Sequence, residues 1–222
     1  MKKFAVIAAG GSGTRMASSV PKQFLELNGK AVLWHTVKAF TDAFEDIQLV
    51  IVSPAEHLQT AEDICKTFFN IRFVQGGNTR FHSVKNGLAS VEKNSIVFVH
   101  DAVRCLVTPD LIKRCYHQAM EKGSAIPAVA VNVSIRIVND HSSKVIDRDT
   151  VRIIQTPQAF HSDILLPAFD VDYNDLFTDE ATVVESFGKE VYLVDGEQSN
   201  IKITRPIDLL IAEKILQERS SL

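Results

Sequence analysis

Cysteine is scarce in this chain. Cys65, Cys105 and Cys115 are all it has, an odd number with no C-x-x-C pair. That excludes a disulfide framework and a cysteine-built zinc site, and it suits a reducing, cytoplasmic compartment. Each of the three reads as a small apolar side chain packed in the interior. An excess of charge is also missing. The 24 Lys and Arg against 27 Asp and Glu leave a formal net charge of -3, so no general positive field is available to hold a nucleic-acid backbone, although a local cationic pocket fits that balance. No apolar run approaches the roughly 20 residues of a membrane span. The opening Met1-Lys2-Lys3-Phe4-Ala5-Val6-Ile7-Ala8-Ala9 imitates a secretory leader but stops at Gly10-Gly11, short of the roughly 7–15 apolar residues such a leader needs. The seven histidines contain no i, i+4 pair, which argues against a histidine metal site. No P-loop, H-E-x-x-H run or G-x-S-x-G elbow is present either, so hydrolase readings start low.

What is present is ordinary globular composition, 45% hydrophobic and 23% charged over 222 residues, enough for one α/β domain that buries roughly 70–75% of its unfolded surface. Short β-branched apolar runs at 4–9, 47–52, 71–74, 96–99, 125–131 and 191–194 alternate with helical patterns at 32–40, 55–68, 80–91, 109–121, 179–187 and 206–219. That alternation predicts repeated β-α-β units, a Rossmann-like, mostly parallel sheet with helices on both faces. The runs lack period-two alternation, so the strands are expected to be buried. Residues 132–155 break the rhythm: Val133, Ile135, Ile137, Val145, Val151 and Ile153 alternate about a turn at Asn139-Asp140-His141-Ser142-Ser143. They predict a projecting β-hairpin arm whose uncovered apolar face belongs in a homodimer interface. The other reading is an edge hairpin folded back on its own sheet. With no repeat, low-complexity tract or linker, residues 1–222 read as a single domain with an arm.

Chemistry is expected after the strands. Ala9-Gly10-Gly11-Ser12-Gly13-Thr14-Arg15-Met16 follows the first one, and Pro21-Lys22-Gln23-Phe24 comes shortly behind. The glycines let backbone N–H groups approach phosphate, and Arg15 and Lys22 can reach what the glycines admit, offsetting charge that accumulates in a phosphoryl-type transition state. Gly76-Gly77-Asn78-Thr79-Arg80-Phe81-His82-Ser83 opens a helix after the third strand. Asp101 and Arg104, at the end of the fourth, fall at the carboxyl edge of the sheet, where open α/β sheets bind ligands. An aspartate there can meet a magnesium ion directly or through water. His100 behind it reads as an orienting or core residue, and Thr178 as a helix N-cap.

Taken together and in order, G-S-G-T-R-M with P-K-Q-F, G-G-N-T-R-x-x-S-V-x-N-G-L, H-D-A-V-R, Q-T-P-Q-A-F, T-D-E-A-T and N-I-K-I-T run nearly end to end. In these blocks the chain resembles the 2-C-methyl-D-erythritol 4-phosphate cytidylyltransferases. The resemblance implies transfer of CMP from CTP to a polyol phosphate, with pyrophosphate released and Mg2+ bound mainly through the CTP phosphates rather than at a protein metal site. It assigns the nucleotide to Ala9, Gly10, Gly11, Ser12, Gly13, Thr14, Gly77, Asn78, Arg80, Ser83, Asp101 and Ala102. Arg15, Lys22, Arg148 and Lys202 become the catalytic cations, and Arg104, Ser134, Arg148, Thr156, Thr178 and Lys202 the acceptor pocket. Arg148 lies on the arm, so it is expected to act across a dimer. A ribitol 5-phosphate cytidylyltransferase is the second reading, because the A-G-G loop occurs there as well and Val133 stands where the family typically carries an aspartate. Two others are a nucleotidyltransferase for a different nucleotide and sugar phosphate, and a non-catalytic nucleotide-binding protein.

Overall fold

A computed structural model describes residues 1–11, 16 and 20–220. In chain order the elements are β1 (Lys2–Ala8), β2 (Glu26–Leu27), β3 (Lys30–Ala31), α1 (Val32–Ala43), β4 (Gln48–Ser53), α2 (Leu58–Cys65), β5 (Ile71–Gln75), α3 (Arg80–Leu88), β6 (Ser95–Asp101), α4 (Pro109–Lys122) and β7 (Ser124–Ala130). They continue with β8 (Ile135–Val138), β9 (Ser143–Ile146), β10 (Arg152–Ile154), β11 (Gln158–His161), α5 (Ser162–Ala168), α6 (Glu180–Ser186), β12 (Leu193–Asp195) and α7 (Pro206–Ser220).

The main sheet has the order β10-β7-β11-β6-β1-β4-β5, with β12 also paired to β7. Strands β6, β1, β4 and β5 are mutually parallel. The unbroken apolar runs of the central strands follow from coverage of both faces. Ala5, Ile7, Leu49, Ile51, Ile96 and Phe98 point into a core with α1, α2 and α4. The alternate residues Phe4, Val6, Val50, Val52, Val97 and Val99 point into a second core with α3, α5 and α6. Close packing of α3 needs a glycine, since a Cβ on Gly87 would lie 2.6 Å from Val6 Cγ1 and 2.8 Å from Val52 Cγ2. Strands β5 and β12 depart from the expected burial. Standing at edges, they are only partly covered.

The chain winds outward from β1 to β4 and β5, then crosses back through α3 to β6 on the other side of β1. The order therefore reverses at the carboxyl ends of β1 and β6, the crevice where open α/β sheets take ligands. Beyond β6 the sheet becomes mixed, which simple β-α-β repetition does not foresee: β11 runs against both β6 and β7, and β10 against β7, while β12 is parallel to β7. Along β7, β10 precedes β11 in a bulged line, because Ile154 pairs with Ala128 while Ala159 pairs with Ala125. The excess residues between them carry Gln155, Thr156 and a cis peptide bond to Pro157.

The arm exists as a separate two-stranded unit, β8 with β9, and its return leg β10 joins the main sheet. Ile135, Ile137 and Ile146 lie on one of its faces and Val138 and Val145 on the other, by the pairing of Ile135 with Ile146 and Arg136 with Val145. Within one chain Ile137, Val138 and Val145 are 60–73% exposed, so the arm is not folded back onto its own sheet. Among the described residues no helix is long and apolar enough to cross a membrane.

Candidate functional site

The crevice is a cavity of about 510 Å³. Into it come Gly10, Gly11 and Lys22 from the first glycine segment, Gly77, Asn78, Arg80 and Ser83 from the second, Asp101 from β6 and Lys202 from the chain before α7. Residues spread over almost two hundred positions are thus gathered at one sheet edge. Ser12, Gly13, Thr14 and Arg15 lie outside the described residues.

Local chemistry sets the walls. The turn over Lys22–Phe24 is tied to β1 by the buried Gln23, whose Nε2 donates to the Ala9 carbonyl at 2.6 Å. Its Oε1 is buried and meets no hydrogen-bond partner among the described residues. Helix α3 starts at the cavity because Thr79 caps it, Oγ1 accepting from the His82 amide at 3.2 Å. Ser83 Oγ in turn accepts from the Gly77 amide at 3.1 Å. Gly77 is required by space, since a Cβ there would stand 2.4 Å from His82 Cβ.

Asp101 is the electrostatic centre. Its Oδ2 lies 2.8 Å from Lys202 Nζ and 3.6 Å from Arg104 Nε, and its Oδ1 accepts from Arg80 Nε at 3.3 Å. Burial would raise this carboxyl, but Arg80, Lys202 and Arg104 outweigh burial and hold it well below the usual carboxylate range. Behind it, Thr156 Oγ1 accepts from the Asp101 amide at 3.1 Å and meets His100 Nδ1 at 3.0 Å. Burial pushes His100 down to about 3, so it sits neutral in the core, the orienting role expected of it. Arg80 turns its other two nitrogens to Glu180, NH1 to Oε1 in the tightest contact and NH2 to Oε2 at 3.0 Å. Burial opposes that guanidinium charge, yet Glu180 and Asp101 raise Arg80 above its ordinary value. Three cations against two carboxylates leave the cluster positive, which suits a polyphosphate.

Other expected residues sit elsewhere. Ala9 and Ala102 frame the cavity without lining it: both are buried, and their amides are used by the carbonyls of Val52 at 2.8 Å and Ala8 at 3.1 Å. Thr156 is 5% exposed and serves Asp101 from behind. Arg104 is turned along the sheet edge, donating through NH1 to the Asn200 carbonyl at 3.0 Å. Ser134, Arg148 and Thr178 are exposed and line no part of the cavity in the single chain. Thr178 is not the N-cap. Asp179 is, in a reciprocal box with Thr182, because an aspartate one residue further on places its carboxylate over the third amide of the helix.

Four supporting residues were missed: Gln23, Gln158, Glu180 and Asn200. Gln158 Nε2 donates to Asp179 Oδ2 and its Oε1 accepts from the Ala181 amide, both at 2.8 Å. Asn200 Nδ2 donates to the Thr156 carbonyl at 2.9 Å. The available signal was their place inside the P-K-Q-F, Q-T-P-Q, T-D-E-A-T and N-I-K-I-T blocks, but nothing in one sequence says which partner each would meet. Among the described residues no group of three His, Cys, Asp or Glu side chains gathers to hold a metal. Both Asp101 oxygens already face cations, and Asp101 and Glu56 are the carboxylates among the described residues lining the cavity, so a hard divalent ion suits this site as a companion of ligand phosphates rather than in a cage of protein oxygens.

Known proteins resemble this chain in sequence and fold. The family model for 2-C-methyl-D-erythritol 4-phosphate cytidylyltransferase matches residues 4–218. The protein of that name from Bacteroides fragilis is 42% identical over 97% of this chain and 100% of its own length, and the one from Rubrobacter xylanophilus is 41% identical over 97% and 95%. Among solved structures, 4-diphosphocytidyl-2C-methyl-D-erythritol synthase from Anaerococcus prevotii superposes with a TM-score of 0.84 at 29% identity, covering 97% of this chain and 96% of that one. The Francisella tularensis cytidylyltransferase does so with a TM-score of 0.82 at 31% identity, covering 96% and 99%.

Proposed function

The chain belongs to the 2-C-methyl-D-erythritol 4-phosphate cytidylyltransferase family, and from that premise we propose that the cavity around Asp101 is where CTP meets the acceptor phosphate. The protein is an enzyme of the nucleotidyltransferase class. It transfers CMP from CTP to 2-C-methyl-D-erythritol 4-phosphate, releasing pyrophosphate, in non-mevalonate isoprenoid precursor synthesis. The ribitol phosphate reading is not favoured, since the relatives reported above act on methylerythritol phosphate by name.

The observation that carries the site is Asp101 gripping Lys202, Arg104 and Arg80 at the point where the strand order reverses. An acceptor phosphate oxygen forms the new bond to the α-phosphorus of CTP while the bond to the β-phosphate oxygen breaks and pyrophosphate leaves. A phosphate monoester is already a competent nucleophile, so alignment and charge neutralisation carry the catalysis and no general base is demanded. In our reading Lys22 and Arg15 stabilise the charge on the α-phosphorus, and Gly10, Gly11, Gly77, Asn78 and Ser83 seat the nucleotide. Arg104 and Lys202 face the acceptor. Mg2+ would supply further neutralisation of the CTP phosphates, with Asp101 its neighbour on the protein.

Arg148 completes the acceptor site from a second copy of the chain. Support comes from its exposure on an arm that is apolar on both faces and uncovered in one chain. The active form is then a homodimer, and three buried, unbridged cysteines fit a reducing cytoplasm. Pyrophosphate release by the purified protein tests the reading, with CTP or UTP paired with methylerythritol phosphate or ribitol 5-phosphate. Turnover is expected with CTP and methylerythritol phosphate. A preference for ribitol 5-phosphate would overturn the acceptor assignment.

A further inference from the structure

We infer that Glu180, which lines no part of the cavity, is a positioning residue that sets the charge of the catalytic cluster by neutralising Arg80, leaving Asp101 free to anchor Lys202. The inference rests on the cytidylyl-transfer reading above. Glu180 is 1% exposed, and both of its oxygens accept from Arg80, the arrangement of an ionised carboxylate in a two-pronged pair. A buried carboxylate is retained at a cost unless its partner needs it. The partner here also touches Asp101 through Nε at 3.3 Å. Asp101 therefore stands between Arg80 on one oxygen and Lys202 on the other, 2.8 Å away. If the Arg80 charge were not met by Glu180, Asp101 would have to meet it, and its hold on Lys202 would weaken. The placement of Glu180 is itself built: Gln158 binds both the Asp179 carboxylate and the Ala181 amide, each at 2.8 Å, clamping the start of α6 on either side of it.

Glu180→Gln keeps the shape and removes the charge. Its effects on the two substrates differ. The added net positive charge holds the triphosphate at least as well, so the KM for CTP stays level or falls. The loosened Lys202 raises the KM for methylerythritol phosphate, lowering kcat/KM for that substrate by about 10–100-fold. Glu180→Asp, which restores the charge, recovers most of that loss. In a Lys202→Ala background, Glu180→Gln costs less than threefold more, because the residue through which it acts is already gone. A merely structural Glu180 would instead lower kcat with both KM values unchanged, and its effect would add in full to that of Lys202→Ala; either result overturns the proposal. Should Glu180→Gln fail to fold, Glu180→Asp alone decides: the proposal requires a smaller shift of the same two-substrate pattern, and a fall in kcat alone refutes it. Wild-type protein is assayed alongside. Absence of turnover there refutes the transfer reading, whereas wild-type turnover with an unaffected Glu180→Gln refutes this inference alone.

Discussion

The centre of the main sheet and the arm solve opposite problems. Around β6 and β1 the charges of the cluster are held by buried groups: Lys202, Arg104 and Arg80 by Asp101, Arg80 by Glu180, and the Asp101 amide by Thr156, whose hydroxyl meets His100 in turn. Around β8 and β9 the apolar side chains are left open. Ile137 and Val145 face outward from opposite sides of the hairpin, and Arg148 stands exposed at its base. The first region is preorganised within one chain, so its electrostatics act without rearrangement. The second is a formed hairpin with apolar surface that one chain leaves in water, the surface that the proposed second copy covers.

The largest expected effect breaks the preorganised centre. Asp101→Asn takes the carboxylate away from Lys202 and Arg104, with Glu180 still meeting Arg80, and is expected to lower kcat/KM by about 10²–10³-fold, measured by pyrophosphate release. A loss under threefold would mean that the cluster is not the catalytic centre. The exposed arm is broken by Ile137→Asp. It is expected to leave the chain folded by circular dichroism, shift sedimentation from dimer to monomer at micromolar concentration, and lower activity by about 10–100-fold through loss of Arg148 from the neighbouring site. A monomer with full activity would rule out the shared site.

The smallest effect sharpens the contrast through pH. His100 titrates near 6.5 when unfolded and is pushed down to about 3 when folded. Between those values the unfolded chain binds the extra proton, so stability falls as pH falls through the window and is fully present above it, by on the order of 5 kcal/mol across its whole width. Asp101, held low, adds its own loss only below about 3.8. Urea unfolding midpoints between pH 7 and 4 are expected to fall steeply for the wild type and less so for His100→Asn. Equal slopes would show that His100 is not the titrating group.

Much of this was legible from residue order alone. The runs at 4–9, 47–52 and 96–99 marked strands covered on both faces, and they are the strands that form two cores. Less legible were β11 and α5. Gln158-Ala159-Phe160-His161 is a short run without a pattern of its own, and it becomes a central strand because β6 and β7 both present edges to it. The same holds for Glu180. A glutamate at the start of a helix reads as a favourable charge at its positive end, and only the fold shows Arg80, a hundred residues earlier, lying against it.

By itself, then, the order of residues determined the fold class, the two glycine segments, the strand-end aspartate and the arm, because each rests on local spacing or on a few adjacent residues. Tertiary structure decided which charges meet. The mixed strand directions of the sheet beyond β6, the pairing of Asp101 with Lys202 and of Arg80 with Glu180, and the isolation of Arg148 all depend on contacts between distant parts of the chain. Such contacts are set by how whole faces pack, and no local pattern encodes them.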